Sequence, residues 1–218
     1  NKKYAVHAQR FFKTGKGEYG EGDLFIGVRM PQIRKIAKES IDLKQTEIKK
    51  LIRSKVNEER MLGLLILLYQ YQKTKEHEKI YKFYVSNFKY VNNWDLVDFT
   101  TPGVVGAYLY ERDRSILKKW AKSDHLWTRR ISIISQWRFI RNGDLSEVFK
   151  LSKMLLKDEH DLIHKAVGWM LREAGKKDLK KMEAFLKQHY KKMPRTMLRY
   201  AIEKLPESKR QRYLKGTI

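Results

Sequence analysis

Cysteine is absent from the 218 residues. That excludes disulfides, thiol nucleophiles and cysteine-ligated zinc together. Proline is scarce, at four residues, so helices can run with few forced breaks. No segment has the long uncharged apolar run that a membrane-spanning helix needs, and no signal-peptide core opens the chain. No membrane partner is expected, and the expected address is cytoplasmic. Acidic residues are the minority: 25 Asp and Glu face 48 Lys and Arg, for a formal net charge of +23. An excess of that size attracts polyanions, and nucleic acid is the first choice of partner ahead of an anionic membrane surface.

What is present is helical spacing. Ala5, Ala8, Phe11 and Phe12 mark a first helix that ends near Gly15 and Gly17. The glycine-rich stretch 15–27 has no preceding strand and no Gly-Lys-Ser/Thr ending, so it does not fit a phosphate-binding loop and reads as a flexible connection. Pro31 suits the first turn of the next helix. A very apolar helix follows over Glu59–Tyr71, and further helices are expected over 80–88, 104–110, 116–121, 127–140, 148–156, 163–174, 182–190 and 197–205. Nothing alternates at period two, so no sheet is expected.

Basic residues open buried-looking helices at Arg60, Arg130, Lys165 and Arg199, roughly one helix pair apart. The expectation is a single domain over 1–218, all-α, built as a HEAT-like or armadillo-like α-solenoid with a concave basic groove. An irregular helical bundle is the alternative. Lys165, Trp169 and Arg172 share one helix face by spacing, and Arg130, Arg138 and Arg141 lie close to a common face on another. Trp, Arg and Lys in alternation suit a phosphate backbone and deoxyribose.

The chain is organised around Asn92-Asn93-Trp94-Asp95-Leu96-Val97-Asp98 and the Phe99-Thr100-Thr101-Pro102-Gly103 that follows. Trp94 and Asp98 are four apart and share a helix face. Pro102 has no N–H for the Asp98 carbonyl, so a break or kink is expected there. A carboxylate beside an indole at a helix irregularity is one reading. The other is a half-buried Trp with Asp98 near Thr100 or Thr101 as a turn or cap residue.

Other chemistry is poorly supported. His160 and His164 have the spacing of two metal ligands, but Asp161 stands where a metalloprotease needs Glu and no third ligand is evident. No metal is expected. Ser132 and Ser135 lie in an apolar helix without a matching His and Asp.

Four segments, in order, give the chain a resemblance. They are Phe25-Ile26-Gly27-Val28-Arg29-Met30-Pro31; Trp94-Asp95-Leu96-Val97-Asp98 with Pro102; the run 120–130 from Trp120 to Arg130; and the run 165–173 from Lys165 to Glu173. Together they resemble the AlkD-type alkylpurine DNA glycosylases, HEAT-like repeat proteins, from about Tyr19 to about Ala174. The resemblance implies Asp98 as catalytic carboxylate, Arg130 as its electrostatic partner, and Trp94 and Trp169 as aromatic walls. Tyr19 is similar to the family's cleft tyrosine across a one-residue gap. Arg129, Arg138, Lys165 and Arg172 are the further nucleic-acid contacts expected. Asn93 stands where family members carry a second Trp.

The implied activity is hydrolysis of the N-glycosidic bond of cationic N3- or N7-alkylated purines in duplex DNA, as base excision repair. It would be carried out by a monomer without cofactor, in the cytoplasm at the nucleoid. A non-catalytic repeat scaffold for DNA, structured RNA or an acidic protein is the rival. Such a groove gains nothing from a carboxylate at its centre.

Overall fold

Helical spacing becomes helix almost everywhere in the computed structural model, which describes residues 1–218. The only β feature is an isolated parallel bridge between Leu24 and Val56. The chain divides into two compact units, Asn1–Tyr108 and Leu109–Ile218. No helix is long and apolar enough to cross a membrane.

The first unit holds α1 (Lys2–Phe11), α2 (Met30–Glu39), α3 (Gln45–Ile52), α4 (Asn57–Lys73), α5 (His77–Ser86) and α6 (Trp94–Thr101). The last continues through a π-turn, Pro102–Gly106, into α7 (Ala107–Leu109). The 17-residue α4 is its centre, with α2, α3, α5 and α6 packed around it. Met61, Leu64, Leu65, Ile66 and Leu67 are all essentially solvent-free, so α4 is apolar on every side, as a helix surrounded by others must be. Gly63 lets α3 approach closely. A methyl there would stand 2.9 Å from Ile52 Cγ1 and 3.0 Å from Leu51 Cβ.

The second unit repeats the plan with α8 (Ser115–Trp120), α9 (Leu126–Ile134), α10 (Gln136–Arg141), α11 (Val148–Met154), α12 (Asp161–Lys177), α13 (Leu179–His189), α14 (Arg195–Ala201) and α15 (Glu207–Lys215). Its centre is α12, also 17 residues long, packed by α9, α10, α11, α13 and α14. Again a glycine sets the closest approach: a Cβ on Gly168 would lie 2.5 Å from the Met197 carbonyl oxygen of α14. Connections as short as 53–56 between α3 and α4, and Asp178 alone between α12 and α13, oblige neighbouring helices to fold back on one another. The class is all-α, assembled from helix pairs as an α-solenoid is.

Three expectations need correction. Pro102 does not end its helix; the winding widens to a π-turn and carries on to Leu109. Widening is one way for a helix to accommodate a residue with no N–H and a bulky ring. The helix expected over 127–140 is interrupted at Ser135, whose hydroxyl donates to the Ile131 carbonyl at 2.7 Å, a back-bond that loosens the turn. The 15–27 stretch is pinned rather than loose: Glu18 and Glu21 accept from Gly15 N and Gly17 N at 2.9 and 2.8 Å, and Gly20 N donates to the Lys13 carbonyl at 3.0 Å.

Candidate functional site

The start of α6 is built from below by buried polar groups. Asn93 is extended and fully buried, and its Oδ1 accepts from Trp94 N at 2.8 Å. It is the N-cap. Beneath it, Arg60 of α4 and Asp23 form an ion pair at 2.6 Å with both side chains at most 5% exposed. The Asn92 and Asn93 amides approach the Asp23 carboxylate at 3.5 Å. Arg60 also donates to the Ser54 carbonyl at 2.9 Å, while Glu58 accepts from Gly27 N at 2.8 Å and Ile26 N at 3.1 Å. The 23–27 segment is thereby stitched to the first turn of α4.

Asp95 faces into this network. Burial pushes its carboxyl up to about 7, with Asp23 adding to the rise. The Leu96 N–H, Asn57 and the Arg60 guanidinium oppose it. Asp23 takes the guanidinium at 2.6 Å, and Asp95 feels that charge only at longer range, so burial decides and keeps its carboxyl raised.

Asp98, one turn beyond Trp94, is half-buried rather than enclosed. Its charge helps push the phenol of the fully buried Tyr84 up to about 12, an effect due first to burial. The Tyr84 hydroxyl lies 2.7 Å from Thr100 Oγ1 and 3.1 Å from Thr101 Oγ1, and Thr100 also donates to the Leu96 carbonyl at 2.6 Å. With Asn93 as the cap and the helix running on past Thr101, Asp98 neither starts nor ends α6. The capping reading therefore loses its basis.

Trp94 is half-buried in aromatic neighbours. Phe12 stacks on it at 5.1 Å and on Phe25 at 5.0 Å, while Phe11 meets it edge-on at 5.7 Å. The indole is held by geometry that favours offset and edge contacts. Phe11 remains 57% exposed and extends the aromatic surface outward. Tyr19 is half-buried, and its neighbour Gly20 sits so close to Asn93 that a Cβ would stand 3.3 Å from Nδ2.

In the second unit, Arg130 is 4% exposed and donates to the Leu162 carbonyl at 2.5 Å, linking α9 to the first turn of α12. Arg129 reaches Asp158 at 2.6 Å and the Ser123 and Asp124 carbonyls at 2.9 Å each, so much of its guanidinium is occupied within the unit. Lys165, Trp169 and Arg172 do share a half-buried face of α12. Lys165 pairs with Asp161 at 2.6 Å, and Arg172 pairs with Glu203 and with Glu173. Arg138 and Arg141 are exposed on α10, and Arg141 lies over Trp137 at 4.7 Å. They do not share an environment with the buried Arg130, because the break at Ser135 comes between. Arg199 is likewise exposed rather than buried.

His160 caps α12, its Nδ1 accepting from Leu162 N at 3.1 Å, and His164 Nε2 bonds the Asp158 carbonyl oxygen at 2.5 Å. No group of three or more His, Asp or Glu side chains is placed to hold a metal ion.

Sequence reasoning missed Asp23, Arg60 and Asp95 as a unit, and Phe11, Phe12 and Phe25 as the setting of Trp94. The pair Phe11-Phe12 at the end of a short helix was the visible signal, two large apolar side chains about 100° apart on a helix with few other apolar residues to bury.

Compared with known proteins, the chain matches the model of the DNA alkylation repair enzyme family over residues 1–205. In three dimensions it is similar to a "Predicted DNA alkylation repair enzyme from Enterococcus faecalis", with a TM-score of 0.73 and 18% identity, covering 95% of this chain and 97% of that one. Identity that low speaks for the fold alone. No curated protein matches.

Proposed function

The chain belongs to the DNA alkylation repair enzyme family, and from that premise we propose that it is a glycosylase. Its reaction is hydrolysis of the bond between deoxyribose and a cationic N3- or N7-alkylated purine in duplex DNA. The observation that carries the reading is Asp98, a half-buried carboxylate one turn from a braced indole, on a helix that does not use it as a cap.

The chemistry asks for little else. Alkylation makes the purine a cation, so it leaves with the bonding electron pair as a neutral base, and no general acid is needed. Positive charge then builds on the sugar. A fixed carboxylate stabilises that oxocarbenium-like state and orients the water whose oxygen bonds to C1′. Asp98 takes this role. Trp94 packs against the deoxyribose and favours a cation across its face, by roughly 0.5–2 kcal/mol. The buried network around Asp23, Arg60 and Asp95 positions both by fixing the first turn of α6.

In the second unit, Trp169 is a further aromatic contact, Lys165, Arg172, Arg129 and Arg138 meet phosphates, and Arg130 adds its buried charge; in the first unit, Tyr19 is an additional DNA contact. Such work is base excision repair, done where the DNA lies. The charge of +23 supports a duplex partner, bound through counterion release and hence steeply salt-dependent.

The test is Asp98→Asn, which keeps shape and removes charge. A group that acts only when the sugar is cationic contributes to the transition state more than to ground-state binding. Single-turnover release of 7-methylguanine from methylated duplex should fall about a hundredfold or more, while affinity for unmodified duplex holds or rises. Undiminished release assigns the chemistry to another group. A folded variant that loses DNA affinity instead supports the binding-scaffold alternative.

A further inference from the structure

Many of the cations on this chain stand beside carboxylates, as Lys50 does with Glu47, Lys79 with Glu76, Lys82 with Glu78 and Lys176 with Glu173. At the end of the second unit the pattern changes. A cleft of about 410 Å³ lies between the turn Tyr190–Lys192, the start of α14 and the last turn of α15. Lys191, Arg195 and Lys215 line it, all three are exposed, and no carboxylate does. None of the three makes an ion pair. Across Leu214 a second hollow of about 380 Å³ continues the surface with Arg199, Arg210, the 36% exposed ring of Tyr200 and one carboxylate, Glu203, which pairs with Arg172.

The cleft is braced from within. Tyr213 is 1% exposed and meets Tyr190 edge-on at 5.5 Å. Arg195 Nη1 donates to the Leu214 carbonyl at 2.7 Å, and the Tyr190 hydroxyl donates to the Gly216 carbonyl at 3.2 Å. Those two bonds matter electrically. The C-terminal end of a helix carries partial negative charge on its unpaired carbonyls, which would repel an anion. Here the protein's own donors cover carbonyls at the end of α15, and Arg195 keeps its other guanidinium donors. Uncompensated like charges around one concavity repel each other, and a bound anion relieves that repulsion.

We propose that this cleft and the hollow beyond Leu214 form a docking site for duplex DNA, seating successive backbone phosphates. A cleft with three cations, continued by a hollow in which two arginines outnumber one glutamate beside an exposed ring, suits a repeating polyanion better than a single small anion. Lys191 and Arg195 lie within the residues 1–205 that match the family, while the α15 side of the cleft, with Lys215, lies beyond them. The site is independent of the chemistry assigned to Asp98, since its readout is binding to unmodified DNA.

The experiment titrates a fluorescent unmodified duplex at several salt concentrations with three proteins: the natural chain, Lys191→Ala/Lys215→Ala, and Lys38→Ala/Lys75→Ala. The last removes the same charge from exposed lysines elsewhere. Each phosphate contact contributes about 0.9 to the slope of log affinity against log salt. The cleft pair should flatten the slope by about 2 and lose roughly tenfold or more in affinity at about 100 mM salt, while the control pair stays near the natural chain. Lys191→Arg/Lys215→Arg should restore binding, which separates loss of charge from loss of fold. An unchanged slope in the cleft variant, or an equal fall in the control pair, overturns the proposal.

Discussion

Replacing Asp95 by asparagine should change how stability depends on pH, because the carboxyl is held up to about 7 in the folded chain against an ordinary value of 3.8. The folded state keeps a proton that the unfolded state has released. Stability from this group is therefore fully present below pH 3.8, declines as pH rises, and is lost above about 7. A shift from 3.8 to about 7 corresponds to about 4 kcal/mol across the window.

The substituted amide has no proton to lose, and its oxygen can still accept from Leu96 N, as Asp95 Oδ1 does now at 2.8 Å. Urea unfolding between about pH 5 and 6 should therefore show a slope for Asp95→Asn that differs from the natural chain by close to one proton, a difference that fades by about pH 8, with the variant relatively more stable at the alkaline end. The difference between the two proteins is the quantity to use. His125, His160 and His189 are all depressed, chiefly by burial, and their opposite trend cancels in it. Parallel curves would mean that Asp95 is ionised throughout this range, and the account of a carboxyl raised by burial would be wrong.

Two further outcomes follow from the packing. Arg60→Met removes the guanidinium that pairs with the buried Asp23 and should lower urea stability by about 3–5 kcal/mol, with much of the loss recovered when Asp23→Leu is added. Gly168→Ala sets a methyl 2.5 Å from the Met197 carbonyl oxygen and should cost about 1–3 kcal/mol, read as a lower melting temperature, by forcing α14 away from α12.

The long-range parts of this molecule were the hard ones to read in its sequence. Local period was enough for α4, a buried helix that announces itself as an apolar run, and for α12, whose apolar residues recur on one face, and Pro31 marks the first turn of α2 as its fixed φ would suggest. The face shared by Trp94 and Asp98, and that shared by Lys165, Trp169 and Arg172, follow from spacing alone. Spacing could not say which of Asp95 and Asp98 goes inside. That depends on Asp23 and Arg60, which come from a loop and a helix far earlier in the chain. Nor could charge counting separate Arg129, bonded to Asp158, from the uncompensated Lys191, Arg195 and Lys215, because a carboxylate partner several turns away leaves no periodic trace. Ser135 misled for the same reason: a serine in an apolar helix looks tolerated until its hydroxyl is seen bonding backward.

The π-turn at Pro102–Gly106 makes the helix from Trp94 to Leu109 sensitive to its own length. A π-turn accommodates one residue more than regular winding, and each residue turns a helix by about 100°. Val104, Val105 and Leu109 all end up buried with that extra residue in place. Losing one residue from this stretch would allow regular winding to resume and turn the residues of α7 by about a quarter turn or more, while Trp94 and Asp98 upstream kept their places. Substitutions among the valines alter shape by a methyl or two; a single deletion redirects every side chain of α7. Descent with modification should accordingly hold the residue count here more tightly than the residue types.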